Sequence, residues 1–275
     1  MSPDSAIHRA ENLRHAAAFF ALAALLALAV ALATDRFGEA TPLVTMFTPL
    51  AAVLILRLAI LRDGWSPRAW SEVGLQRFGW RYWPLAALLP LAVLLPGFVI
   101  IWAIAGDVPT LTGGMPPIQF AVKLAVTLLL GMVLGALGEE IGWRGYLQPR
   151  LAALGPWRSL FATGFLHGLW HMPLLLLTPF YHGGTTPLLV VPLLLLTFTL
   201  AGSVYGFLRI ASGSIWPVAL MHRSVNTWWD RLDAATIAGT PLQRELLAGE
   251  SGLGVIGMLG VVTLILMWVW RGRRV

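Results

Sequence analysis

Stretches of about twenty apolar residues recur along almost the whole chain, and they constrain its fold more than any other feature. A helix needs about 20 mainly apolar residues to cross a bilayer core. In lipid the backbone must satisfy its own hydrogen bonds, so such stretches become helices. Eight candidates stand out, at roughly 15–34, 42–61, 82–105, 118–138, 159–178, 186–208, 213–229 and 253–270. They predict an all-α, polytopic membrane helix bundle of about eight transmembrane helices, a single domain over residues 1–275. Composition agrees, with 57% hydrophobic and 12% charged residues. Soluble domains carry about 25% charge. Half of that cannot coat a soluble particle of this length, and it inverts the signature of disorder. The absence of cysteine excludes disulfides, thiolate metal sites and cysteine nucleophiles. The opening MSPDSAIHRAENLRH is polar and mixed in charge, and a spanning run follows it, so no signal peptide is expected.

A net charge of +6 could suggest nucleic acid, but topology explains it better. With eight spans and the N-terminus inside, thirteen of the nineteen bases fall in inside segments, Arg271, Arg273 and Arg274 among them. Arg36, Arg231 and Arg244 fall outside, and Arg57, Lys123 and Arg223 lie within spans. The positive-inside rule then places both termini in the cytoplasm, and nucleic-acid binding is not expected. The inside loop 62–81 mixes aromatic and basic residues, as an interfacial segment would. The outer loop 230–250, with Asp230, Asp233, Glu245 and Glu250, reads as a solvated cap.

Ionisable groups within spans are expensive and are candidate functional sites by default. Three clusters qualify. In GEEIGWRGYLQPR (138–150), placed where the fourth span meets the cytoplasmic side, Glu140 and Arg144 are four apart in the favourable order for an ion pair. Glu139 points about 100° around the helix from Glu140. One carboxylate is thus neutralised by Arg144, while Glu139, poorly solvated, suits a general base. Gly142 and Gly145 would let another helix or a substrate backbone approach. In HGLWHMP (167–173), His167 and His171 share a helix face. The glutamate of an H-E-x-x-H zinc protease is missing there. In SIWPVALMHRSVNTWWD (214–230), His222 and Asn226 are four apart. Asn226 is a poor metal ligand but a good donor to an oxyanion, and His222 could ligate a metal or donate. Each cluster also has a plain structural reading, as solvated helix ends or hydrogen-bonded core histidines. Together they supply a base, a second histidine and a donor pair, which describes peptide hydrolysis by activated water.

These motifs, E139-E140-I-G-W-R144, then His171 in LWHMP, then H222-R-S-V-N226, resemble the CPBP family of intramembrane proteases. That family includes type II CAAX prenyl endopeptidases and bacterial bacteriocin-processing or abortive-infection relatives. The resemblance covers roughly residues 118–230 and implies a catalytic core within a bundle of about eight helices, open to the cytoplasm. It implies that Glu139 and His171 activate water, that Glu140 and Arg144 support them, and that His222 and Asn226 hold the oxyanion. In a metal version Glu139, His171 and His222 would bind zinc, although no cofactor is required. His167 stands where the family normally has an aromatic residue; it either adds a ligand or replaces packing with a hydrogen bond, and the second is preferred. The expected partners are the lipid bilayer and a membrane-associated peptide or protein substrate, in a bacterial inner membrane. The substrate's identity and the oligomeric state are not legible. A proton-coupled transporter would place inverted repeats in matching halves, and none is visible. A silent scaffold would have no need for buried Glu and His.

Overall fold

A computed structural model describes residues 3–106, 109–180 and 186–271, so Arg273 and Arg274 lie outside the described residues. Among those residues the chain is helical and contains no strand. The elements are α1 (Pro3–Leu32), a pair α2 (Thr34–Met46) and α3 (Thr48–Ile60) bent by 60°, and α4 (Trp83–Ala105). Then come α5 (Pro117–Leu154), α6 (Pro156–Trp170), α7 (Met172–Leu177) and α8 (Pro187–Ser212). The chain closes with α9 (Trp216–Ala234), α10 (Pro241–Ala248) and α11 (Leu253–Trp270).

By length and apolarity six helical runs qualify as membrane spans, or seven if the bent pair α2–α3 is one. That is one fewer than the eight read from the sequence, and the difference is α9. It is a 19-residue helix carrying His222, Arg223, Asn226, Asp230, Arg231 and Asp233, too polar to count as a span by composition. Its His222 meets Glu140 of α5, and its Asp233 pairs with Arg244 of α10. Elsewhere the surface is apolar, with Leu130, Leu134, Leu188, Leu264 and Trp268 exposed as lipid would require.

Among the described residues two large cores divide the interior, beside a small third one of Leu175, Val190 and Leu194. One gathers Phe98, Trp102, Leu128, Met132, Leu220, Met221 and Trp228 from α4, α5 and α9. The other gathers Phe19, Val53, Leu56, Trp143, Tyr146, Leu147 and Trp170 from α1, α3, α5 and α6. The run α5 passes from the first core to the second, and Glu139 and Glu140 lie at the crossover. π-helical turns over Met132–Ala136 and Ile141–Leu147 flank them. Such wide turns are frequent at functional sites, because they re-aim side chains without breaking the helix.

Glycines set the closest helix approach. Gly164 on α6 meets Gly202 on α8, while Gly168 packs against Phe198 and Gly206 against Leu160. A Cβ built on Gly202 would stand 2.6 Å from the Gly164 Cα, so no larger side chain fits there. Gly142 serves the same end. The atom its Cβ would meet, at 2.5 Å, is Pro49 Cβ of α3, so a helix and not a substrate uses that gap.

The segment between α3 and α4 folds over one end of the bundle. Glu72 accepts hydrogen bonds from Arg57 at 2.6 Å and Arg150 at 3.0 Å, and its carbonyl accepts from Arg209 at 2.5 Å. Trp216 Nε1 donates to Leu75 O at 3.0 Å, and Ser214 Oγ donates to Arg77 O. Trp65, Phe78 and Trp80 remain exposed, the disposition of an interfacial segment. Several arginines at this end therefore tie the segment down as well as carrying charge. The stretch 230–250, expected as a solvated cap, contains α10, opened by a Thr240/Gln243 capping box, and an ion pair between Arg244 and Asp233.

Candidate active site

The fourth expected span, roughly 118–138, runs into Glu139 and Glu140, where a solvated helix end is the plain structural reading. The helical run instead continues to Leu154, and Glu139 lies eleven residues, about 16 Å, before Arg150. Glu139, Glu140 and Arg144 are 2%, 0% and 1% exposed, so the solvated-helix-end reading fails for all three. The physical reason is mutual neutralisation, which lets charges stay where hydrocarbon alone would exclude them.

One hydrogen-bonded chain joins these groups. Arg144 Nη1 donates to Glu140 Oε1 at 3.1 Å. The same nitrogen stands 3.1 Å from His167 Nδ1. A guanidinium is only a donor, so that Nδ1 must be an acceptor. The proton of neutral His167 is then on Nε2, which donates to Glu139 Oε2 at 2.9 Å. His171 Nδ1 is 3.0 Å from the His167 carbonyl, which can only accept; Nδ1 therefore carries the proton and Nε2 the lone pair. His222 Nδ1 reaches Glu140 Oε1 at 2.8 Å, joining α9 to α5.

Packing fixes the rings. Trp143 stacks on His167 with centroids 4.7 Å apart, and Phe198 of α8 meets His167 edge-on at 4.8 Å and His171 at 4.4 Å. The Arg144 guanidinium lies 4.7 Å from the Tyr205 ring centroid, a cation–π contact behind the ion pair. Neither Tyr205 nor Phe198 was legible as a site residue, since each is one aromatic among many apolar residues on α8.

A cavity of about 350 Å³ opens on this group. Glu139, Arg144, His167, His171, His222 and Asn226 all line it. It extends past Asn226 to Asp230, Glu250 and Ser251. Asp230 is fourteen residues, about 21 Å, along α9 from Trp216, so the cavity reaches away from the arginine-held segment, contrary to the expected opening on the arginine-rich side. Glu140 lies behind the cavity wall, bound to Arg144 and His222.

Ligand atoms of Glu139, His167 and His171 lie within 4.8 Å of one another, and by residue type this buried group could hold a metal ion. His222, included in the metal set expected from the sequence, is not part of that group. It points its Nδ1 at Glu140 instead, and His167 takes the third position.

No curated protein matches the chain at a significant level. Residues 121–228, the stretch that carries all six expected site residues and His167, match the family model described as type II CAAX prenyl endopeptidase Rce1-like. That match agrees with the CPBP resemblance of the three motifs, and over these residues the chain is similar to the Rce1-like family.

Proposed function

We propose that the protein is an intramembrane endopeptidase that hydrolyses a peptide bond of a membrane-embedded protein with water activated by Glu139. The observation that carries this reading is a buried carboxylate, held by a histidine, facing a cavity shared with His171, His222 and Asn226 in the stretch similar to the Rce1-like family. Glu139 would take a proton from water while His171 Nε2 accepts a hydrogen bond from the same molecule. The hydroxyl oxygen then bonds to the scissile carbonyl carbon. Charge develops on the carbonyl oxygen, toward which Asn226 and His222 would donate. His222 already engages Glu140 through Nδ1, so a donation from Nε2 requires its doubly protonated form, with Glu140 as counter-charge. Collapse of the tetrahedral species breaks the C–N bond, and the leaving amine takes the proton held by Glu139.

A divalent ion would supply Lewis acidity to such a reaction. Catalytic zinc sites use three protein ligands. Within the group of Glu139, His167 and His171, Arg144 occupies one ring nitrogen of His167 as a donor and the other nitrogen carries the proton, which leaves two of the three as suitable ligands, Glu139 and His171. The reading therefore contains no metal step. Cleavage by the purified protein is expected to survive exhaustive chelation, with no metal found by elemental analysis. Loss of activity that zinc restores would overturn this part of the reading.

Proteomics of membrane peptides from cells carrying the unaltered chain, with Glu139→Ala as control, tests the function and names the substrate. Peptide termini present only with the unaltered chain support it; identical peptide sets refute it. The arginine-held end is proposed to face the cytoplasm, with both termini, in a bacterial inner membrane. The chain has no cysteine, so single cysteines report topology cleanly. In intact spheroplasts an impermeant maleimide is expected to label Ile237→Cys, at an exposed position between α9 and α10, and to spare Ser66→Cys. Labelling in the reverse pattern would invert the proposed orientation.

A further inference from the structure

We infer that His167 is a positioning residue, a one-way hydrogen-bond relay that fixes the Glu139 carboxylate and is not a metal ligand. The inference rests on the reading of Glu139 as the base, and it concerns a side chain that stands where an aromatic residue is usual. His167 is 3% exposed and receives three constraints at once. Arg144 donates to Nδ1, Nε2 donates to Glu139, and the ring is stacked on Trp143.

Each constraint removes a freedom. The stacking holds the ring plane. The guanidinium, which has no acceptor, excludes a proton from Nδ1 and so determines the tautomer. The tautomer forces Nε2 to donate, and among the described residues the carboxylate it reaches is Glu139. Binding a metal through Nε2 would move the proton to Nδ1, directly against the Arg144 N–H. The arrangement therefore opposes ligation by His167 and supports orientation by it. Glu139 Oε2 is occupied by this bond, which aims Oε1 as the oxygen that takes the proton from water. Arg144 serves both carboxylates, Glu140 directly and Glu139 through His167, and this couples the ion pair behind the cavity to the base within it.

The test uses two substitutions and one spectrum in the full-length protein. Glutamine can accept from Arg144 and donate to Glu139, but it is a poor metal ligand; phenylalanine fills the space and does neither. His167→Gln is expected to keep kcat within about fivefold of the unaltered chain. His167→Phe is expected to lower kcat by about 10–100-fold with KM little changed, the usual range for removing an orienting partner. Full activity in His167→Phe would reduce the residue to packing and overturn the inference. Equal loss in both variants, with metal present in the unaltered chain and absent from His167→Gln, would overturn it in favour of a ligand. The ¹⁵N spectrum of histidine-labelled protein reads the tautomer without any activity, with the His167 signals assigned by their loss in His167→Gln. A neutral ring protonated at Nε2 is expected, and a proton on Nδ1 refutes the relay. If Glu139→Ala still cleaves, the proposed function fails, while this spectrum still decides the relay.

Discussion

Glu139→Gln is expected to lower kcat by about 10²–10⁴-fold, the usual contribution of general acid–base catalysis, with KM and thermal stability nearly unchanged. The amide is almost isosteric with the carboxylate, and its oxygen can still accept from His167 Nε2 across the 2.9 Å contact. What it loses is the capacity to take a proton from water. Because the side chain is 2% exposed, bulk water has little access with which to replace it as base. Glu139→Asp retracts the carboxylate by one methylene, about 1.5 Å, and should leave an intermediate rate, since errors of about 1 Å in position are costly. Single-turnover cleavage of a substrate peptide in detergent measures both variants, and intrinsic tryptophan fluorescence on heating checks the fold. A Glu139→Gln variant retaining more than about a tenth of the activity would remove Glu139 from the role of base.

How much of this was legible before the structure differs between the fold and the site. The apolar runs announced a helical membrane bundle, because hydropathy is a local property that lipid reads residue by residue. Spacing announced the Glu140–Arg144 pair, because four residues on a helix always share a face. Two features were out of reach. The depth of Glu139 is one, because a run of E, E and R reads equally as a solvated helix end and as a poorly solvated base. The charges are in fact matched by partners from α6 and α9, 28 and 82 residues further on in the two closest pairs. His167 was read as a substitute for packing that makes a hydrogen bond, and its neighbours on the chain give no sign of Arg144 approaching one ring nitrogen and Glu139 the other. Non-local pairing decides both cases, and a single sequence carries little trace of it. The interfacial segment 62–81 lies between these extremes. Its aromatic and basic composition was plain, whereas its attachment through Glu72 to Arg57, Arg150 and Arg209 depends on three separate helices.

Arg144→Met should be the most destabilising single change at the site, by about 3–5 kcal/mol, because removing one partner of a buried pair leaves the other charge uncompensated. Glu140 is 0% exposed, and among the described residues its Oε2 has no hydrogen-bond partner, so there the loss of Arg144 leaves His222 as its bonded neighbour. The methionine also loses the cation–π contact with Tyr205 and the donation to His167 Nδ1. Combining it with Glu140→Leu removes both charges, and the double variant should recover a large part of the lost stability, since apolar replacement of a buried pair is often neutral. Activity should not recover with it, because neither the relay to Glu139 nor the carboxylate beneath His222 is restored. Thermal unfolding in detergent gives the two stabilities, and the same cleavage assay gives the rates. Equal destabilisation of the single and double variants would show that packing around Arg144, and not charge pairing with Glu140, holds this part of α5 in place.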